Sequence, residues 1–257
     1  ALILQMQGDG PVRLAVAEVQ PDLTFRATAT VQGDVAEGAR LEALLNVNGQ
    51  GRCAITLDPK DRFPGQQPYQ GVVPLHGDQR EPIQNLSEVL EHYMLQSEQL
   101  DTRLVLAAND QMAAGLLIQR LPVGGEGNLA GAHWKSDEEG IGQSEDFNRI
   151  AHLTATLSRD ELLSLDADTI LRRLFWEEDV RHFDPLRPRF ACRCSRQRVQ
   201  RMLSGLGHGE SLSILEERGQ VDIACEFCGA HYTFDAVDVE QIFTPDSDQP
   251  PASKSVQ

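Results

Sequence analysis

The stretches Phe190-Ala191-Cys192-Arg193-Cys194-Ser195-Arg196 and Cys225-Glu226-Phe227-Cys228-Gly229 hold four of the five cysteines in this 257-residue chain. They form a C-x-C pair and a C-x-x-C pair about thirty residues apart. Four thiolates suit the tetrahedral, soft-ligand preference of Zn²⁺, and C-x-x-C is the usual spacing by which one short turn delivers two ligands to one ion. The C-x-C half is tighter, because a single intervening residue constrains the turn. The spacing predicts one Zn²⁺ held by Cys192, Cys194, Cys225 and Cys228. Four protein ligands complete the tetrahedron and leave no open position for water activation or Lewis-acid chemistry. No catalytic residue is expected, and the site reads as that of a non-enzyme.

The flanking residues predict a small module over 189–243. Ser195 is placed to cap a helix through Val199, Met202 and Leu203, while Leu212, Ile214 and Leu215 mark another. Val221–Ala224 and His231–Phe234 read as strands on either side of the second cysteine pair, and Asp235 caps a last helix through Val239 and Ile242. A hairpin whose knuckle carries two cysteines is a zinc-ribbon-like element. His231 follows Cys228 by three residues and is a substitute ligand only if a thiolate is lacking. Arg187, Arg189, Arg193, Arg196, Arg198 and Arg201 crowd the first pair. They raise an alternative reading, a zinc-ribbon protein that binds nucleic acid or another protein. Their simpler role is to offset the charge of about minus two left by four thiolates around Zn²⁺. The whole chain carries 23 Lys+Arg against 39 Asp+Glu, a formal charge of -16. That balance repels nucleic acid and acidic membranes. Neighbouring arginines also keep thiolates deprotonated and hence oxidisable. Zinc binding is worth roughly 10 to 16 kcal/mol and a whole domain is stable by roughly 5 to 15, so oxidation that expels the metal is expected to unfold the module.

Upstream, residues 144–188 read as a helical linker. Phe147, Ile150, Ala151, Leu153, Thr154 and Leu157 share one face; Ser158 caps a second helix with Glu161 at the capping-box position; Ile170, Leu171, Leu174 and Phe175 mark a third. Each helix is too short to be stable undocked. Val123–Gln143 holds six glycines and few aliphatics, with Trp134 inside it, and is expected to be a mobile boundary.

Residues 1–143 form the expected core domain. Period-two patterning predicts strands over 2–7, 12–19, 25–31, 53–58 and 69–76, divided by turns at Gly8-Asp9-Gly10, Gly33-Asp34 and Gly77-Asp78. Asn85 with Glu88 predicts a capped helix through Leu86, Val89, Leu90 and Tyr93, followed by strands over 103–108 and 113–121. Cys53 shares a face with Ile55 and Leu57 and reads as a small core residue. His92 and the Ser97-Glu98-Gln99 cluster read as a solvated helix end. Ala1 lacks an initiator Met and the strand pattern is already running at Leu2, so residues are expected to be missing upstream. No apolar run approaches the roughly eighteen residues of a membrane span and no signal peptide is visible, which predicts a cytoplasmic protein with no membrane partner. Residues 244–257 are polar, Pro-containing and expected to be disordered. The fold class is α+β: a mixed sheet-and-helix core, a helical linker and a small C-terminal zinc domain.

The two cysteine motifs, with Tyr232 and Phe234 after them, resemble the redox-switch domain of the bacterial 33 kDa chaperonin family. Gln7-Gly8-Asp9-Gly10-Pro11, Tyr69-Gln70-Gly71-Val72-Val73, Ser97-Glu98-Gln99-Leu100 with Thr102, and Ala113-Ala114-Gly115 resemble further family motifs in the same order. The resemblance implies an ATP-independent holdase. Peroxide or hypochlorite with unfolding stress would oxidise the cysteines to neighbour disulfides, Cys192 with Cys194 and Cys225 with Cys228. Zinc would leave, the linker would unfold, and the protein would hold unfolding client proteins, as a homodimer when oxidised and a monomer when reduced.

Overall fold

The structure is a computed structural model and describes residues 1–59, 63, 65–121, 142 and 144–244. The expected glycine-rich boundary with Trp134 lies outside the described residues, apart from Gly142, and so does the tail beyond Thr244. The fold is α+β. A mixed six-stranded sheet runs β5-β4-β1-β2-β3-β8, where β1 is Leu2–Gln7, β2 Val12–Val19, β3 Thr24–Val31, β4 Arg52–Leu57, β5 Tyr69–Pro74 and β8 Arg189–Phe190. The chain divides into two compact units, one of Ala1–Leu23 with Ala29–Pro188, the other of Thr24–Thr28 with the residues from Arg189 onward.

In the first unit, alternation along each strand sends every second side chain to one face. Met6 pairs with Cys53 and Cys53 with Val73, while Leu4 pairs with Ile55 and Ile55 with Gly71. These residues form one apolar face, which α2, Leu86–Tyr93, covers with Val89 and Tyr93. The Tyr93 ring occupies the space a side chain at Gly71 would need, so that position must be glycine. Glu88 accepts the N–H groups of Gln84 at 2.9 Å and Asn85 at 3.2 Å, which starts the helix where the sequence places it. The helix ends in a π-helical turn, Met94–Glu98, closed by Gln99 in the left-handed region at φ 56°. Gly8-Asp9-Gly10 does more than turn a hairpin. Asp9 Oδ2 accepts from Asn48 N and Gln50 N, both at 3.1 Å, and so fastens the loop after the short helix α1, Leu41–Leu45, to the β1–β2 turn.

A second core lies where β6, Thr102–Ala108, and β7, Ala113–Gln119, meet three short helices. These are α3, Glu145–Ala155, α4, Arg159–Ser164, and α5, Ala167–Phe175. Val105, Ala107, Ala114, Leu116 and Ile118 face Leu157, Leu162, Ile170, Leu174 and Phe175. Each helix is begun by a side-chain cap: Ser144 to Phe147 N–H, Ser158 to Glu161 N–H and Asp166 to Thr169 N–H. Caps and apolar faces are legible in the sequence for the same reason: both depend on local spacing.

The C-terminal unit is built on α6, Arg196–Leu206, α7, His208–Arg218, the β9–β10 hairpin of Val221–Ala224 and His231–Phe234, and α8, Ala236–Phe243. Leu203, Leu215, Val221, Phe234 and Val239 are its buried core.

Cys53 is fully buried, and burial pushes its thiol up to about 11. Native alkylation with iodoacetamide should therefore spare Cys53 until denaturant is added; mass spectrometry showing native labelling at this position would contradict the burial. In α4, Glu161 is held by the Arg173 guanidinium and the Ser158 hydroxyl and N–H, which lower its carboxyl from 4.5 to about 2. Its stabilisation is complete above about pH 4.5 and is lost as pH falls toward about 2. Glu161→Gln should flatten that part of the pH dependence of thermal unfolding. Superimposable curves for the two proteins would show that the contact contributes nothing.

Candidate metal centre

The C-terminal unit brings its four cysteines to one point. Cys192 and Cys194 lie between β8 and the start of α6, where Ser195 accepts the Arg198 N–H at 3.3 Å. Cys225 and Cys228 sit on the knuckle between β9 and β10. The knuckle is a tight turn: Cys225 N–H bonds Ala230 C=O and Gly229 N–H bonds Cys225 C=O, both at 2.8 Å. Gly229 adopts φ 69°, a conformation that strains any residue with a Cβ.

All four Sγ atoms lie within 4.8 Å of one another. Cys192 Sγ is 3.5 Å from Cys225 Sγ, and Cys194 Sγ is 3.4 Å from Cys228 Sγ. A tetrahedral ion with metal–sulfur bonds of about 2.3 Å needs sulfurs about 3.8 Å apart. The spacing and the donor chemistry both fit such an ion, so the cluster could bind a metal. His231 is engaged elsewhere, its Nδ1 standing 3.2 Å from Asp222. Cys192, Cys194 and Cys225 are half-buried and Cys228 is exposed.

Proximity splits the acidities of the thiols. Burial opposes ionisation of Cys192, but the Cys194 N–H and the thiols of Cys194, Cys225 and Cys228 hydrogen-bond its thiolate and bring it down to about 6. The Ala230 N–H favours the Cys228 thiolate, yet the Cys194 sulfur, burial and the Cys192 and Cys225 sulfurs together push it up to about 12. The Tyr232 hydroxyl donates to Cys194 Sγ at 3.1 Å, and this bond, with burial and the neighbouring thiols, raises the phenol to about 12. Tyr232 thus supplies a hydrogen bond to a ligand-type sulfur from outside the four.

Two further side chains brace the knuckle from β3. Thr28 Oγ1 donates to Glu226 C=O at 2.8 Å, and the Arg26 guanidinium lies 4.0 Å from the Phe227 ring centroid. Sequence reasoning missed both. The contact spans 198 residues and leaves no local pattern, although an arginine and a threonine alternating on a strand are compatible with it. One of the arginines near the first pair is also more structural than the sequence suggests. Arg196 donates to Thr233 C=O at 2.7 Å, pairs with Asp238 at 2.7 Å and lies 4.2 Å from the Phe234 ring centroid. It clamps α6 to the hairpin and α8, which removes one cation from the set that suggested nucleic acid. Ser97 and Glu98 form no catalytic group with His92; Glu98 accepts from the Tyr93 hydroxyl at 3.5 Å.

Comparison with known proteins places the chain in a family. The profile of the family described as Hsp33 protein matches residues 1–235. The 33 kDa chaperonin of Chromobacterium violaceum is 44% identical over 246 residues, covering 96% of this chain and 74% of that protein. That of Methylobacillus flagellatus is 42% identical over 244 residues, covering 95% and 74%. In fold, the chain resembles the crystal structure of the 33 kDa chaperonin (heat shock protein 33 homologue) of Thermotoga maritima, with a TM-score of 0.68 at 19% identity over 94% of this chain and 76% of that one. Among the described residues no helix is long and apolar enough to cross a membrane. The chain belongs to the Hsp33 family of 33 kDa chaperonins, which are chaperones and not enzymes.

Proposed function

We propose that the chain is a redox-regulated, ATP-independent holdase whose resting state carries one Zn²⁺ on Cys192, Cys194, Cys225 and Cys228. The observation that carries this reading is the convergence of four thiols within 4.8 Å in a chain whose fifth thiol is buried and inert. When bound, the ion supplies the positive charge that lets all four thiolates exist together; it performs no reaction. A reducing compartment such as the cytoplasm suits that resting state.

Oxidation then acts on the ligands. One thiolate attacks peroxide, forming a sulfenic acid and releasing hydroxide. A second thiolate displaces hydroxide from the sulfenic acid, forming the disulfide. With two protons, each disulfide consumes one peroxide and yields two waters. The family resemblance of the motifs supports neighbour pairing, Cys192 with Cys194 and Cys225 with Cys228. Loss of four thiolates removes the metal, whose binding is worth roughly 10 to 16 kcal/mol, an amount comparable to the roughly 5 to 15 kcal/mol of a whole domain. The domain division supporting the mechanism is a core over 1–143, a linker over 144–188 and a switch over 189–243. The linker helices are short and depend on docking, so they are the segment most easily melted. Their exposed faces and the core would then hold unfolding clients, with the oxidised protein a homodimer and the reduced one a monomer.

Light scattering from a heat-aggregating client tests the reading. The peroxide-treated protein should suppress scattering, the reduced zinc-loaded protein should not, and about one equivalent of zinc should be released on treatment. Equal scattering with zinc retained would sink the chaperone mechanism. Cys192→Ser and Cys225→Ser should each lower zinc content below one equivalent and uncouple activity from oxidant; full zinc content in either variant would remove that residue from the ligand set. Tryptic mapping decides the pairing. Neighbour disulfides leave the fragments on either side of Arg193 joined to each other, whereas cross-pair bonds join them to the Cys225 fragment.

A further inference from the structure

β6 and β7 form a two-stranded sheet, and their register fixes where each backbone group of β6 points. Asn109 N–H bonds Met112 C=O, and Arg120 N–H bonds Asp101 C=O, both at 2.9 Å. The same register sets Leu104 opposite Leu117 and Leu106 opposite Gly115. Bonded and non-bonded pairs alternate in an antiparallel ladder. The odd-numbered residues of β6 therefore serve β7, and Leu104, Leu106 and Ala108 turn their N–H and C=O groups to the outer edge. Two side chains use that edge: Glu91 accepts the Leu104 N–H at 2.7 Å and Arg159 donates to Ala108 C=O. Between these plugs lie Leu104 C=O, both groups of Leu106 and Ala108 N–H, without a partner among the described residues. This row borders a cleft of about 570 Å³ walled by Leu86 and Glu88 of α2 and by Ala155 and Leu157.

We propose that the outer edge of β6 takes an extended segment of an unfolded polypeptide as an added antiparallel strand, an inference that rests on the holdase reading. An unfolded chain is the occupant whose chemistry fits, because it offers unpaired N–H and C=O groups whatever its sequence. The free row satisfies four of them, and the two plugs limit the added strand to about five residues. Alternate side chains of the segment then lie against Leu86 and Glu88 of α2, the wall of the cleft that does not belong to the linker. Its charge favours basic flanks once Arg159 has withdrawn: Glu88 and Glu91 then face one arginine, Arg103, which is 3.2 Å from Glu91, in a chain of net charge -16. One plug is movable. Arg159 starts α4, so unfolding of the linker helices withdraws it and lengthens the row by Ala108 C=O.

Fluorescence anisotropy on the full chain tests this with a labelled peptide, Lys-Val-Thr-Val-Thr-Val-Lys, and a copy N-methylated at its five central residues, which lacks strand-pairing donors. The plain peptide should bind the peroxide-treated protein about ten-fold or more tightly than the methylated one. Leu106→Pro removes only an outward N–H, not a bond to β7, and should lose a similar factor with its circular dichroism unchanged. Equal affinities for the two peptides, or binding of neither, overturn the proposal. If the proline variant unfolds, the methylated pair decides alone. Client scattering measured in parallel keeps the two readings apart. Suppressed aggregation without peptide discrimination leaves the holdase standing and removes the strand addition, whereas discrimination without suppression does the reverse. Sedimentation showing a dimer that Leu106→Pro abolishes, with no peptide bound, would give the edge to a second copy and overturn the proposal.

Discussion

Four sulfurs within 4.8 Å of one another cannot all carry charge in the absence of a cation. The spread of acidity expresses that limit: Cys192 falls to about 6 and Cys228 rises to about 12, so the cluster gives up its first proton easily and its last with difficulty. The C-terminal unit is organised around the point where this conflict is stored. Among the described residues its buried apolar core is five residues, Leu203, Leu215, Val221, Phe234 and Val239, which is little for a module of this size. A dication on the four sulfurs would turn the repulsion into a tether between the β8–α6 junction and the β9–β10 knuckle. Arg196, Tyr232, Thr28 and Arg26 hold the surrounding backbone in the shape that keeps the sulfurs close.

The same side chain behaves oppositely elsewhere in the fold. Cys53 lies between Met6 and Val73 in the ladder, and desolvation alone pushes its thiol up to about 11. The five cysteines are thus divided by environment: a buried one whose thiol is held protonated, and four clustered ones that are half-buried or exposed. In the proposed switch that division would direct an oxidant to the cluster, since thiolate character and access go together.

What the sequence reveals here is what depends on short separations. The C-x-x-C knuckle, the caps at Ser158, Ser195 and Asp235, and the Asn85–Glu88 pair can each be read within four residues, and each stands in the structure. Elements fixed from a distance are silent. The helix α1 has five residues and no side-chain cap; the Asp9 carboxylate and Asn46, which bonds Leu75 C=O and Gly51 N–H, hold its end in place. The two-residue strand β8 exists because Thr24 and Phe25 offer it a parallel partner. The bracing of the knuckle by Arg26 and Thr28 belongs to the same class, because nothing adjacent in sequence signals it.

The spacing of the cysteines also bears on how a metal or a disulfide would link the chain. A metal joining Cys192 to Cys225 closes a loop of 33 residues, and a cross-link of that length lowers the entropy of the unfolded chain by about 4 kcal/mol at room temperature. Disulfides within the C-x-C and C-x-x-C pairs close rings of three and four residues, which restrict little beyond the turns themselves. Exchanging one arrangement for the other keeps every sulfur bonded while cutting the link between distant parts of the module. Oxidation in that form would lengthen the free chain, a change in connectivity that enlarges the unfolded ensemble while the metal–sulfur bonds give way to two sulfur–sulfur bonds.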